Sequence, residues 1–162
     1  LAWRENLPLT IRYHFTQAFN VSAKQAFLWC TSFSPDDPKI MELDYARREV
    51  TKISNDTVIL TEQYQTEAGA VEKQKLVQLY PTRLMWISTH LSGPNQHSQF
   101  LYEITPQGED ASKLDFTAQH IEPQNLSEEA AQVLAKSLCE YDTKIWRRLS
   151  AAMEHELKET PP

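Results

Sequence analysis

Residues 125–158 contain neither Gly nor Pro, and their apolar side chains recur at alternating intervals of three and four. Ala131, Leu134, Leu138, Tyr141, Ile145, Leu149 and Ala152 therefore share one stripe of a predicted helix, with Lys136, Glu140, Thr143, Arg147, Glu154 and Lys158 opposite. Asn125 or Ser127 supplies a cap, and Glu128 and Glu129 sit where the helix dipole favours negative charge. Ala135, Cys139, Trp146, Met153 and Leu157 widen the apolar surface to about half the circumference. Such a helix runs more than about 40 Å at roughly 1.5 Å per residue. It must be gripped along its length, and a large sheet wrapped around it is the simplest way to do so.

The preceding chain supplies the strands. In residues 11–21, Ile11, Tyr13, Phe15, Phe19 and Val21 share one face while Arg12, His14, Thr16 and Asn20 share the other, the pattern of a half-buried strand. Ser22 and Gln25 form a capping box ahead of a short helix carrying Ala26, Phe27, Leu28 and Trp29, and residues 35–41 hold a further helical turn. Six strands follow, at 47–54, 57–66, 71–80, 83–91, 96–105 and 113–121. They are separated by Asn55-Asp56, Gly69, Pro81-Thr82, Gly93-Pro94-Asn95 and Gly108. All three glycines of the protein fall at these turns, where positive φ is needed. Residues 1–9 read as an irregular arm, and 1–162 as one domain, long enough to bury a core without staples.

Composition narrows the function. The formal charge is -6, and basic residues cluster no further than Arg47-Arg48 and Arg147-Arg148, so a surface that tracks nucleic-acid phosphates is not expected. No apolar run approaches the length of a membrane span and none reads as a leader, which makes the cytoplasm the default compartment. Cys30 and Cys139 both fall in predicted helices and read as reduced thiols rather than a disulfide.

One strand, two short helices, six antiparallel strands and a long terminal helix form a distinctive order. Three local features accompany it: the junction Phe19-Asn20-Val21-Ser22-Ala23 before Phe27-Leu28-Trp29, the hairpin Tyr80-Pro81-Thr82-Arg83-Leu84, and the turn Thr105-Pro106-Gln107-Gly108-Glu109 before Leu114-Asp115-Phe116. Over residues 10–158 the chain resembles the helix-grip superfamily, the Bet v 1-like, START-related (SRPBCC) proteins. The resemblance implies an α+β fold with a curved seven-stranded antiparallel sheet, ordered from the first strand to the seventh, sixth and so on to the second. It also implies a cavity beneath the terminal helix, entered between the loops at 67–71 and 92–96. The implied partner is a hydrophobic or amphipathic small molecule (a lipid, sterol, isoprenoid or polyketide), with no cofactor. The same resemblance leaves two alternatives: a cofactor-independent enzyme like the polyketide cyclases and aromatases, or a protein-interaction domain like the Hsp90 activators.

The side chains expected between sheet and helix are Tyr13, Phe15, Leu60, Tyr64, Leu76, Phe100, Tyr102, Phe116, His120, Leu134, Leu138, Tyr141 and Ile145. Ordinary core packing would account for most of them, but tyrosine hydroxyls in an apolar layer each need a partner. Hairpin arithmetic brings His90 and His120 into one row across three strands, with Glu72 pairing towards it. Two strand spacings hold the histidines nearly 10 Å apart, which argues against shared metal ligation. The strand parity of Glu62 points it inward, where a carboxylate needs a partner; otherwise it reaches water at the sheet edge. Ser98, Cys30 and Cys139 have no adjacent base at a defensible spacing, and no phosphate loop or metal motif is present, so no catalytic residue is assigned.

Overall fold

A computed structural model describes residues 7–43 and 45–159. Of the arm expected at 1–9, residues 1–6 lie outside the described residues, and Leu9 already belongs to the first strand. The elements follow as β1 (Leu9–Phe19), α1 (Ala23–Cys30), α2 (Asp37–Ile40), β2 (Tyr45–Ser54), β3 (Thr57–Thr66), β4 (Gly69–Tyr80), β5 (Met85–His90), β6 (Gln99–Pro106), β7 (Ser112–Glu122) and α3 (Glu128–Glu159). The seven strands form one sheet in the order β1-β7-β6-β5-β4-β3-β2, and every neighbouring pair is antiparallel. This is the α+β helix-grip arrangement that the family resemblance implied.

Local chemistry explains where elements begin. Ser22 caps α1 through the expected box, accepting from the Gln25 amide while the Gln25 side chain accepts from the Ser22 amide. β5 starts later than its apolar run, because Pro81–Arg83 coil into a 3-10 turn and Leu84 takes a left-handed φ of 52°. Of the two candidate caps for α3, Ser127 is used, its Oγ accepting from the Ala130 amide at 3.1 Å.

The long helix is gripped over only part of its length. Its buried residues are Ile145, Trp146, Leu149, Ser150 and Met153, all in the C-terminal half. That half is also tied by polar contacts: Glu154 accepts from the Asn20 amide and Glu156 from the Trp29 indole. Trp146, expected beside the main stripe, sits against Phe19, Trp86 and Tyr102. In the N-terminal half Leu134 and Leu138 are half-buried, and Tyr141 is 52% exposed although it lies on the predicted stripe. The apolar spacing continues there, but among the described residues none of this half is buried. Among the described residues no helix is long and apolar enough to cross a membrane.

Candidate functional site

Between the sheet and the loosely covered half of α3 lies a cavity of about 550 Å³. The strand register sets its floor. Phe100 of β6 stands opposite Ala118, Tyr102 opposite Phe116, and Phe116 opposite Phe15, so one row across β1, β7 and β6 is aromatic throughout and the next has a small residue at its centre. Tyr102 meets Phe116 edge-on at 5.1 Å and stacks on Trp86 at 4.7 Å, which fixes both rings in the wall.

Of the residues expected here, Tyr13, Tyr64, Phe100, Tyr102, Phe116, His120, Leu138, Tyr141 and Ile145 border the cavity. Phe15 lies outside it, stacked on Phe116 at 4.7 Å. Leu60 lines a smaller adjoining space of about 90 Å³. Leu134 does not border the cavity, because the contribution of α3 begins one turn later, at Leu138. Leu76 is a correction. Its neighbour Val77 is buried on the concave side, so the alternation of β4 turns Leu76, opposite Ile59 and Thr89, to the convex face. The mouth differs from expectation in part: Asn95 of the loop at 92–96 borders the space, but Gln65 and Thr66 at the end of β3 and Met41, Glu42 and Leu43 after α2 take the place of residues 67–71.

Polar side chains converge on this apolar floor. Glu62 points inward as its parity suggested and is 0% exposed, which excludes the alternative of a charge reaching water. Its Oε2 accepts from Arg48 at 3.2 Å, and Lys75 Nζ lies 2.6 Å from its Oε1. Burial acts to raise its pKa, but the ammonium of Lys75 and the guanidinium of Arg48 outweigh burial and hold it below the usual carboxylate range. Arg48 also donates to Asp37 at 3.0 Å, so one chain of charges links α2, β2, β3 and β4. For Asp37 burial prevails over Arg48 and the pKa is raised.

His90 faces the concave side, its ring 4.8 Å from Phe100 and its Nδ1 3.1 Å from Asn95 Oδ1. With the amide oxygen as acceptor, Nδ1 carries the proton. Burial, with help from Lys75 and Lys73, pushes its pKa down to about 3, so the imidazole is neutral near pH 7. Lys75 stands opposite it in the register; Glu72, expected towards this row, instead pairs with Gln63 near the sheet surface. His120 is engaged with Glu122 at 3.1 Å. Among the described residues no group of three His, Cys, Asp or Glu is placed to hold a metal. Ser98 is fully buried with its Oγ accepting from the Ile121 amide at 2.8 Å, a structural role.

The sequence reading missed Asp142, which reaches the cavity from α3 and accepts the Tyr13 hydroxyl proton at 2.5 Å. Burial raises the pKa of Asp142, opposed by the Tyr13 hydrogen bond, and burial together with the Asp142 charge keeps the Tyr13 phenol protonated. The signal that could have found it is position: Asp142 lies three and four residues before Ile145 and Trp146, on the face that carries both. Lys73, also unassigned from sequence, borders the cavity two residues from Lys75.

No family model matches the chain, and no curated protein is similar to it in sequence. Solved structures do match in three dimensions. The Zhui aromatase/cyclase from Streptomyces sp. R1128 superposes with a TM-score of 0.73 at 9% identity, covering 92% of this chain and 96% of that one. A START superfamily protein from Mycobacterium smegmatis gives 0.67 at 14% identity, over 89% and 97%. Norcoclaurine synthase from Thalictrum flavum, solved with dopamine and hydroxybenzaldehyde, gives 0.65 at 11% identity, over 96% and 91%. At these identities the likeness is one of fold, and the fold is the Bet v 1-like, START-related helix grip.

Proposed function

We propose that the protein binds an amphipathic small molecule in the cavity beneath α3, the whole chain serving as one ligand-binding unit. The observation that carries this reading is a space of about 550 Å³ with a floor of fixed aromatic rings and a rim of polar groups. That volume falls within the range of sites that enclose drug-sized ligands, where apolar walls provide affinity and a few polar groups fix orientation. A void of this size also forfeits packing that a ligand would restore.

A thermal-shift screen of fatty acids, sterols, isoprenoids and aromatic polyketides tests the reading. A ligand that binds only the folded state stabilises it by about 2.7 kcal/mol at a hundredfold excess over Kd. Leu138→Trp pushes a larger side chain into the space and is expected to reduce or abolish the shift. A screen without hits, beside native mass spectra showing nothing copurified, would refute it.

The Tyr13–Asp142 pair favours a second reading, a cofactor-independent enzyme of the cyclase type. A carboxyl group whose pKa is raised by burial, hydrogen-bonded to a phenol inside a ligand cavity, is equipped to exchange protons with a bound carbonyl compound. Structural neighbours carrying aromatase/cyclase and norcoclaurine synthase as names lend this reading support. Asp142→Asn would then retain ligand affinity and lose turnover. A protein-interaction role draws less support, because the space under α3 is not filled and the exposed Leu28, Val50, Ile53 and Val133 belong to three different elements.

A further inference from the structure

Two lysines stand two residues apart on the concave face of β4, and their surroundings differ. Lys75 has Glu62 at 2.6 Å. Lys73 has no carboxylate within 4.0 Å among the described residues, although its side chain is half-buried and borders the cavity. Its position is built rather than incidental. The shaft passes over Gly93, where a Cβ would lie 3.1 Å from Lys73 Cε, and the ammonium sits 5.8 Å from the centre of the Tyr64 ring. A side chain at position 93, where φ is +95°, would displace the lysine as well as strain the turn.

The groups facing Lys73 leave its charge uncompensated. On its own strand there is Lys75, of the same sign. From β3 come Tyr64 and Glu62, the latter already shared by Lys75 and Arg48. From β5 comes the neutral His90, and from the following turn the Asn95 amide. The carboxylates bordering the space are engaged elsewhere: Asp142 with Tyr13, and Glu42 with Arg148 at 2.9 Å. An ammonium group withdrawn from water beside an aromatic floor is stabilised by a counter-ion, and a single unspent positive charge matches a single negative one.

We propose that Lys73 anchors the head group of a monoanionic ligand, a carboxylate whose apolar body lies on Phe100, Phe116 and Trp146. This rests on the cavity-binding reading and specifies its ligand class. A protein with formal charge -6 would otherwise repel such molecules, so the preference must come from this local site. Burial first, and Lys75 second, hold the Lys73 pKa down to about 8 against the pull of Glu62. The bound anion favours the protonated amine, so affinity is constant between about pH 5, below which the carboxylate itself protonates, and about pH 8, above which it falls.

Titration calorimetry with 2-naphthoate and decanoate, each beside its alcohol (2-naphthylmethanol and decanol), tests the assignment. Near neutral pH the carboxylates are expected to bind at least about tenfold more tightly than the alcohols. Lys73→Met brings the ratio close to one while leaving the alcohols almost unchanged, and Lys73→Arg retains the preference. Equal affinities of carboxylate and alcohol in the wild-type protein, with binding still blocked by Leu138→Trp, would overturn the anion assignment and leave the cavity reading intact. An undiminished preference in Lys73→Met would overturn it as well. Absence of binding by all four compounds would overturn the anion assignment, and the cavity reading would then be decided by the thermal-shift screen.

Discussion

The hydroxyl of Tyr13 and the carboxylate of Asp142 share a hydrogen bond of 2.5 Å, which joins an edge strand of the sheet to the turn of α3 just before its buried half. Two forces on Asp142 oppose each other here. Burial favours its protonated form, and donation from Tyr13 favours the carboxylate. Tyr13→Phe leaves burial unopposed by the phenol, so the Asp142 carboxyl group is expected to titrate at higher pH than in the wild type. Carbon-13 NMR of the side-chain carboxyls measures this directly, and an unchanged or lower midpoint would contradict it. The linkage has a definite sign. A carboxyl with a raised folded pKa binds protons more tightly than the unfolded chain does, so its contribution to stability declines as pH rises through that window, and Tyr13→Phe widens the window.

Arg48 neutralises two carboxylates at once, Asp37 at 3.0 Å and the fully buried Glu62 at 3.2 Å. Its own side chain is almost inaccessible to water. Arg48→Ala strands Asp37 and leaves Glu62 with Lys75 alone, and is expected to lower stability by about 3–5 kcal/mol in urea titrations, whereas the exposed Arg47→Ala is nearly silent. Comparable small losses in the two variants would mean that water relaxes the network.

His90 makes the fold sensitive to acid. The group is depressed to about 3 when folded and returns to its ordinary value near 6.5 when unfolded. Its contribution is therefore complete above about pH 6.5 and is lost as pH falls towards 3, at up to about 1.4 kcal/mol per pH unit. His90→Gln is expected to flatten the wild-type decline in unfolding free energy between about pH 6 and pH 4. Parallel declines in the two proteins would place the acid sensitivity elsewhere.

Along α3 the effect of truncation depends on the turn. Leu149→Ala removes a side chain that is 4% exposed and is expected to cost about 2–5 kcal/mol. Leu138→Ala enlarges a space already present and costs less than about 1.5 kcal/mol. Equal losses by denaturant titration would show that the cavity is closed in solution.

The strands and the long helix were legible because each carries its own period, and because turn residues mark where one period gives way to another. Tyr13, Phe100, Phe116 and His120 were placed by alternation, since one face of each of their strands is clearly apolar. β4 defeated that logic. Leu76 and Val77 are adjacent and both apolar, while Lys73 and Lys75, which ordinarily mark a solvent face, share the concave face with Val77. Arg48 was invisible as a partner of Glu62 because their pairing depends on the register of β2 against β3, which shifts between Lys52 and Ser54, between the turn and this pair. Asp142 was passed over because a polar residue inside an apolar helix face reads as a boundary of the stripe unless its partner on another element is known.

Two kinds of variation are separated along one helix. The turns carrying Leu149 and Met153 are locked to α1 and the sheet, while those carrying Leu138, Tyr141 and Asp142 border the cavity. Substitutions in the two regions lie far enough apart, and share few enough partners, for their effects to be nearly additive. A lineage could therefore reshape the cavity by drift at Leu138, Tyr141 and Asp142 without renegotiating the packing that keeps the chain folded.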